Sequence, residues 1–171
     1  MFLVQIARRF RPTTVALLGL ALAVLTSSLL LTGVGEAASG GSRMIQMGKE
    51  INAFRAQNGL PPLTFKNKLI SVARDYAVVM KTKDQMGHSV DGTTVAQRLD
   101  KGGYKYARYF ENVAWNKGHA DAAAQAVKSW KESTSGHREA MLSRDVTEMG
   151  IGLARSSTGK EYFCLVLAKP R

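Results

Sequence analysis

The stretch from Glu148 to Ala168 leaves this chain few choices of fold. In "EMGIGLA" the apolar residues Met149, Ile151 and Leu153 fall at every second position, "KEYFCLVLA" is a second apolar run, and "RSSTG" between them is a turn signal. Two such runs across a short polar turn predict an antiparallel hairpin. A third strand is expected at about Tyr109 to Trp115, in the aromatic segment "YARYFENVAWN".

The rest reads as helix. Met44, Met47, Ile51 and Phe54 recur at helical spacing until "NGLPP" stops them. Leu69, Val72, Ala73, Tyr76, Val79 and Met80 line one face of a second helix, which Asn67 is placed to cap. Thr94 and Gln97 have capping-box spacing for a short helix ended by Gly102-Gly103. Asp121 caps an alanine-rich helix carrying Ala123, Val127 and Trp130, and another short helix follows His137. No strand–helix alternation builds a parallel sheet, so the class is α+β, in layers.

The N-terminus has a different composition. Arg8, Arg9 and Arg11 precede an apolar run from Val15 to Val34, and Gly35-Glu36-Ala37 supplies small residues before a cut after Ala37. Residues 1–37 therefore read as a secretory signal peptide or, since about 20 apolar residues can span a bilayer, as an uncleaved N-terminal anchor. Either way the remainder is expected to be exported, periplasmic or secreted. Residues 38–43 read as a linker, and residues 44–171 as one folded domain.

Of the 24 Lys and Arg and 13 Asp and Glu, only Arg8, Arg9, Arg11 and Glu36 precede residue 38, which leaves the exported part at about +9. Such a charge draws a domain toward anionic polymers and membrane surfaces. Export argues against a nucleic-acid partner. Cys164 is the only cysteine, so packing rather than an internal disulfide must hold the fold, and in its apolar run this thiol reads as a small buried hydrophobe.

Four polar segments interrupt these patterns: "GHSVDG" with His88, "ENVA" with Glu111, "SGHR" with His137 and "TEMGIG" with Glu148. His119, the remaining histidine, precedes a helix cap and reads as a surface residue. Ser89 lacks the strand–Ser–helix elbow of a nucleophilic hydrolase. Taken in order with "NGLPPL", "ARDYA" and "SGHREAML", these segments resemble the bacterial, cysteine-poor branch of the CAP superfamily (cysteine-rich secretory proteins, antigen 5, pathogenesis-related 1) over about Met44 to Ala168.

The resemblance implies an α-β-α sandwich with a small central antiparallel sheet flanked by helices. It also implies a cleft walled by His88, by Glu111 as the glutamate of the family's "GEN" motif, and by His137. Phe110 stands where that motif has glycine, and Ser133, beside Glu132, stands where animal and plant members carry a second glutamate. Glu148, whose strand follows the His137 helix, is preferred over Glu132 as the fourth member. In some members such a cleft holds a divalent metal, so zinc with His88 and His137 as ligands is one expectation. Without metal, a glutamate near both rings would raise both pKa values.

The resemblance further implies a non-enzymatic module for a small lipid, another hydrophobic ligand or an envelope component. A metal-assisted hydrolase of envelope peptide or ester bonds, with Glu111 or Glu148 as base, is the alternative. A purely structural cluster is a third reading.

Overall fold

A computed structural model describes residues 40–171. The reading of residues 1–37 as signal peptide or anchor lies outside the described residues. Helix α1 (residues 40–57) is followed by strand β1 (Thr64–Phe65), helix α2 (Asn67–Lys83), helix α3 (Val95–Lys101) and strand β2 (Tyr106–Asn116). Helices α4 (Ala122–Lys131) and α5 (His137–Met141) come next, then strands β3 (Glu148–Arg155) and β4 (Glu161–Pro170). Strand order is β1-β3-β4-β2, antiparallel except for the two-residue parallel pairing of β1 with β3.

The hairpin is the centre of the sandwich. Tyr162 through Ala168 are all exposed by 1 % or less, because β4 is covered on both faces. Phe163, Leu165 and Leu167 join Met149 and Ile151 against Met47 and Ile51 of α1, Val127 and Trp130 of α4 and Met141 of α5. The alternate residues Tyr162, Cys164, Val166 and Ala168 pack against Leu69, Ala73, Tyr76 and Met80 of α2 and Leu99 of α3. Strand periodicity of two thus builds two apolar layers from one strand, and each large side chain so buried contributes about 1.5–3 kcal/mol of transfer free energy. On the α2 face β3 presents Gly150 and Gly152, which lets the helix lie directly on the strand.

Three local expectations need correction. Residues 40–43, read as linker, are the first turn of α1, where the Arg43 guanidinium ion-pairs with Glu161 and lies over the Phe163 ring. Asn67 does not cap α2: the N-cap is Lys66, without a side-chain cap bond, and its N–H is held by the Met149 carbonyl at 2.9 Å. That pairing fixes the start of α2 one residue earlier. The third strand is longer than expected, because β2 pairs with β4 from Tyr106 to Asn116. The Thr94–Gln97 capping box and the Asp121 cap form as the sequence indicates.

Arg55 is fully buried on α1. Its Nε donates to Pro61 O at 2.9 Å, and its Nη1 donates to Met141 O at 2.7 Å and Ser143 O at 2.9 Å. A buried cation is tolerated when carbonyl dipoles replace water. Here those carbonyls tie the end of α5, and with it the His137 segment, to α1.

Candidate binding cleft

The cleft lies along β2, the strand at the open side of the sheet. Alternation along β2 sends Glu111 toward the α2–α3 layer and its neighbour Asn112 toward α4 and α5. The Glu111 side chain is 1 % exposed. Its Oε1 faces His88 Nδ1 at 2.9 Å, and its Oε2 accepts from Arg98 Nη2 at 2.7 Å and from the Cys164 thiol at 3.5 Å. Arg98 supplies the countercharge that a buried carboxylate requires. Its guanidinium lies 3.4 Å from the centre of the Tyr76 ring, and its Nη1 donates to the His88 carbonyl at 3.1 Å and the Thr93 carbonyl at 2.9 Å. The Tyr76 hydroxyl donates to Gly87 O at 2.7 Å and accepts from Val90 N–H at 3.1 Å. The loop carrying His88 is therefore held from below by one carboxylate, one guanidinium and one phenol.

His137 forms the opposite wall. Gly136, at φ 96, turns the chain into α5 through a conformation that favours glycine, which is why a glycine precedes this histidine. Asn112 Nδ2 donates to the His137 carbonyl at 2.9 Å, so β2 positions the residue through its main chain. The ring Nδ1 lies 3.1 Å from Oγ of Ser133, the position where the resemblance noted above implies a glutamate in animal and plant proteins. Beside it runs an open groove of about 390 Å³ lined by Met86, Trp115, Trp130, Glu132, Ser133 and His137, among others. Trp115 and Met86 are 47 % and 46 % exposed.

Glu148 sits elsewhere. It starts β3, with β4 between it and β2, and its carboxylate accepts from the Tyr104 hydroxyl at 2.7 Å and lies 3.7 Å from Lys66 Nζ. Burial and this bond raise the Tyr104 phenol well above its ordinary range. Glu132, the weaker candidate by sequence, is the one that lines the groove with His137. His119 is exposed and Cys164 is buried, its thiol pushed well up by burial and by Glu111.

The donor set does not fit a tightly held zinc ion. Among the described residues no three His, Cys, Asp or Glu side chains gather where one ion could meet them. Both Glu111 oxygens are engaged, and the Arg98 guanidinium stands beside them. Two imidazoles fall short of the three protein ligands usual for catalytic zinc.

The two rings also differ electrostatically. The bond to Glu111 holds His88 above the ordinary 6.5, whereas burial, then repulsion from His88, hold His137 below it. The expectation that one glutamate raises both is corrected, because a serine rather than a carboxylate meets His137. The consequences for stability have opposite signs. The raised pKa of His88 gives stability that is complete below pH 6.5 and is lost as pH rises through its folded value. The lowered pKa of His137 subtracts stability as pH falls below 6.5 toward its folded value. Below pH 6.5 the two effects therefore oppose each other, and above it the His88 contribution is lost. An imidazole proton titration by NMR should show His88 titrating above 6.5 and His137 below it; the reverse order would remove the Glu111 contact from the account.

Residues 49–167 match the Cysteine-rich secretory protein family, CAP. The chain belongs to this family. An uncharacterised membrane protein of Bacillus subtilis, YlbC, is 32 % identical over 105 residues, covering 61 % of this chain but only 29 % of that protein. An uncharacterised protein of Borreliella burgdorferi is 25 % identical over 120 residues, 70 % of this chain and 74 % of its own length. Among solved structures, an outer surface protein of Borrelia burgdorferi superposes with a TM-score of 0.69 at 24 % identity, over 76 % of this chain and 94 % of that one. An extracellular SCP-domain protein of Bacillus anthracis gives 0.66 at 24 % identity, over 76 % and 41 %. These CAP-domain neighbours share the α-β-α sandwich described above.

Sequence reasoning missed Arg98, Tyr76 and Asn112. Asn112 left a signal: it is a polar residue at an inward-facing position between Phe110 and Ala114. Arg98 left none, because no spacing rule ties a helix residue to a carboxylate on a later strand.

Proposed function

We propose that this CAP domain is an exported, non-enzymatic binding module that holds an amphipathic component of the cell envelope in the groove beside His137. The observation that carries this reading is the groove's lining. Exposed Trp115 and Met86 offer apolar contact, and Ser129, Ser133, Thr134 and Ser135 offer hydroxyls. Such a mixture suits a ligand with both characters rather than a purely apolar chain. Glu111 supports binding over hydrolysis, since its two oxygens are occupied and neither is free to take a proton from water. Export rests on the N-terminal composition and on relatives described as outer surface and extracellular proteins. The positive charge of the domain would hold it near anionic envelope surfaces.

The test is native mass spectrometry of protein recovered from the envelope fraction of its own host, beside the His137→Ala variant. His137 is half-buried and lies outside the apolar clusters, so its loss should cost stability by only about 1 kcal/mol. The expected result is a small-molecule or peptide adduct on the parent protein that is absent from the variant. Equal adducts on both proteins, or a variant that fails to unfold cooperatively, would overturn the proposal.

A further inference from the structure

Among the described residues, the outer edge of β2 has main-chain groups with no strand beside them. Trp130 Nε1 donates to Val113 O at 3.2 Å, so that carbonyl points away from β4. On β4 the Ala168 carbonyl accepts from Thr147 N–H, which points it toward β3. Register then requires that the β2 residues opposite Ala168, Val166 and Cys164, namely Tyr109, Glu111 and Val113, turn their N–H and C=O groups outward. Trp115 follows by the same alternation. Glu111 provides an independent check. Its side chain is 1 % exposed while the residue as a whole is only half-buried, so its exposed part is main chain.

We infer that this edge docks an extended peptide, which adds to the sheet as a further strand in the groove between β2 and the Ser133–Ser135 segment. The inference rests on the binding reading above and names the class of ligand. An exposed strand edge is a template that another extended backbone satisfies at the ladder's own spacing. The N–H groups of Glu111, Val113 and Trp115 donate to it, and the carbonyls of Glu111 and Trp115 accept; the Val113 carbonyl is already used by Trp130. Charge selects among peptides. Lys160 Nζ lies 5.0 Å from the centre of the exposed Trp115 ring and pairs with Asp84 at 3.0 Å; Lys117, two residues beyond Trp115, is a second cation against that one carboxylate, so an acidic side chain is favoured at that end.

The probe is a display library of random dodecapeptides, panned on the full chain, with the best binder resynthesised. Binding should slow amide exchange at Glu111, Val113 and Trp115 by about tenfold or more. N-methylation of alternate peptide residues should weaken binding by about tenfold in one phase and leave it within about twofold in the other, because only one phase faces β2. Replacing the peptide's acidic residues by lysine should also weaken it. A library with no binder, protection away from β2, or equal loss in both N-methyl phases would overturn the inference. If the native mass measurement instead finds a lipid or glycan that depends on His137 and leaves these amides unprotected, the binding module stands and the peptide falls.

Discussion

Gly152→Ala is expected to destabilise the domain by about 3 kcal/mol, and the Gly150→Ala/Gly152→Ala double variant to show no cooperative unfolding transition. A Cβ at Gly152 would lie 2.2 Å from the carbonyl carbon of Ala73 and from the nitrogen of Arg74. At Gly150 it would lie 2.1 Å from the Leu69 carbonyl carbon. Non-bonded carbons rest at about 3.5–4.0 Å, so something must move by more than an ångström. The obstacle is α2 backbone rather than a side chain that could rotate away. Lifting α2 would open the layer formed by Leu69, Ala73, Tyr76 and Met80 against β4. A single methyl therefore costs at the upper end of the overpacking range of about 1–3 kcal/mol. Gly41→Ala is the control: it lies in α1 with no atom within 4 Å of the added carbon, and should be neutral or slightly stabilising. Urea unfolding of the three variants measures this directly. A Gly152→Ala midpoint indistinguishable from the parent would mean that α2 does not rest on β3 as described.

The same glycines show how far the fold can be read from the chain. Alternation of Met149, Ile151 and Leu153 is enough to place a strand, and the "RSSTG" turn is enough to place its partner, because both signals are local. A glycine in a strand signals close backbone approach without saying to what. That the partner is α2 depends on packing between segments some 80 positions apart. β1 escaped for a related reason. It is two residues long, its side chains are exposed, and its only strand signal is the parallel pairing with β3.

In the cleft, His88, Glu111 and His137 were legible through an ordered set of segments resembling CAP proteins, and the structure brings His88 and Glu111 into contact with His137 near enough to feel the charge of His88. Glu148 was chosen because its strand follows the His137 helix in sequence. Sheet order, with β4 inserted between β3 and β2, defeats that reasoning. Ser133 stands where the resemblance implies a glutamate in animal and plant members, and its hydroxyl meets His137 in place of a carboxylate. The effect is electrostatic: a neutral partner cannot offset burial, and His137 stays below the ordinary histidine range.

Glu111→Gln is expected to cost about 3–5 kcal/mol, the range for stranding one member of a buried ion pair. Arg98 is only 10 % exposed at its side chain and would face an amide that cannot neutralise it. Its Nε has no partner already, so little hydrogen bonding remains in reserve. Arg98→Met in the same chain should recover part of the loss, giving a favourable coupling between the two positions in a double-mutant cycle. The His88 titration separates this account from a general loosening of the core. With the carboxylate gone, the cause that raises its pKa is gone, so the ring should titrate at or below 6.5 rather than above it. Stability gained on protonating His88 should vanish with it, flattening the pH profile above 6.5. Groove binding should weaken as well, although the Glu111 side chain does not face the groove, because the carboxylate anchors the loop that carries His88 close to Met86. A Glu111→Gln protein within about 1 kcal/mol of the parent, or one in which His88 still titrates above 6.5, would show that Arg98, Tyr76 and the main chain hold the loop without the carboxylate.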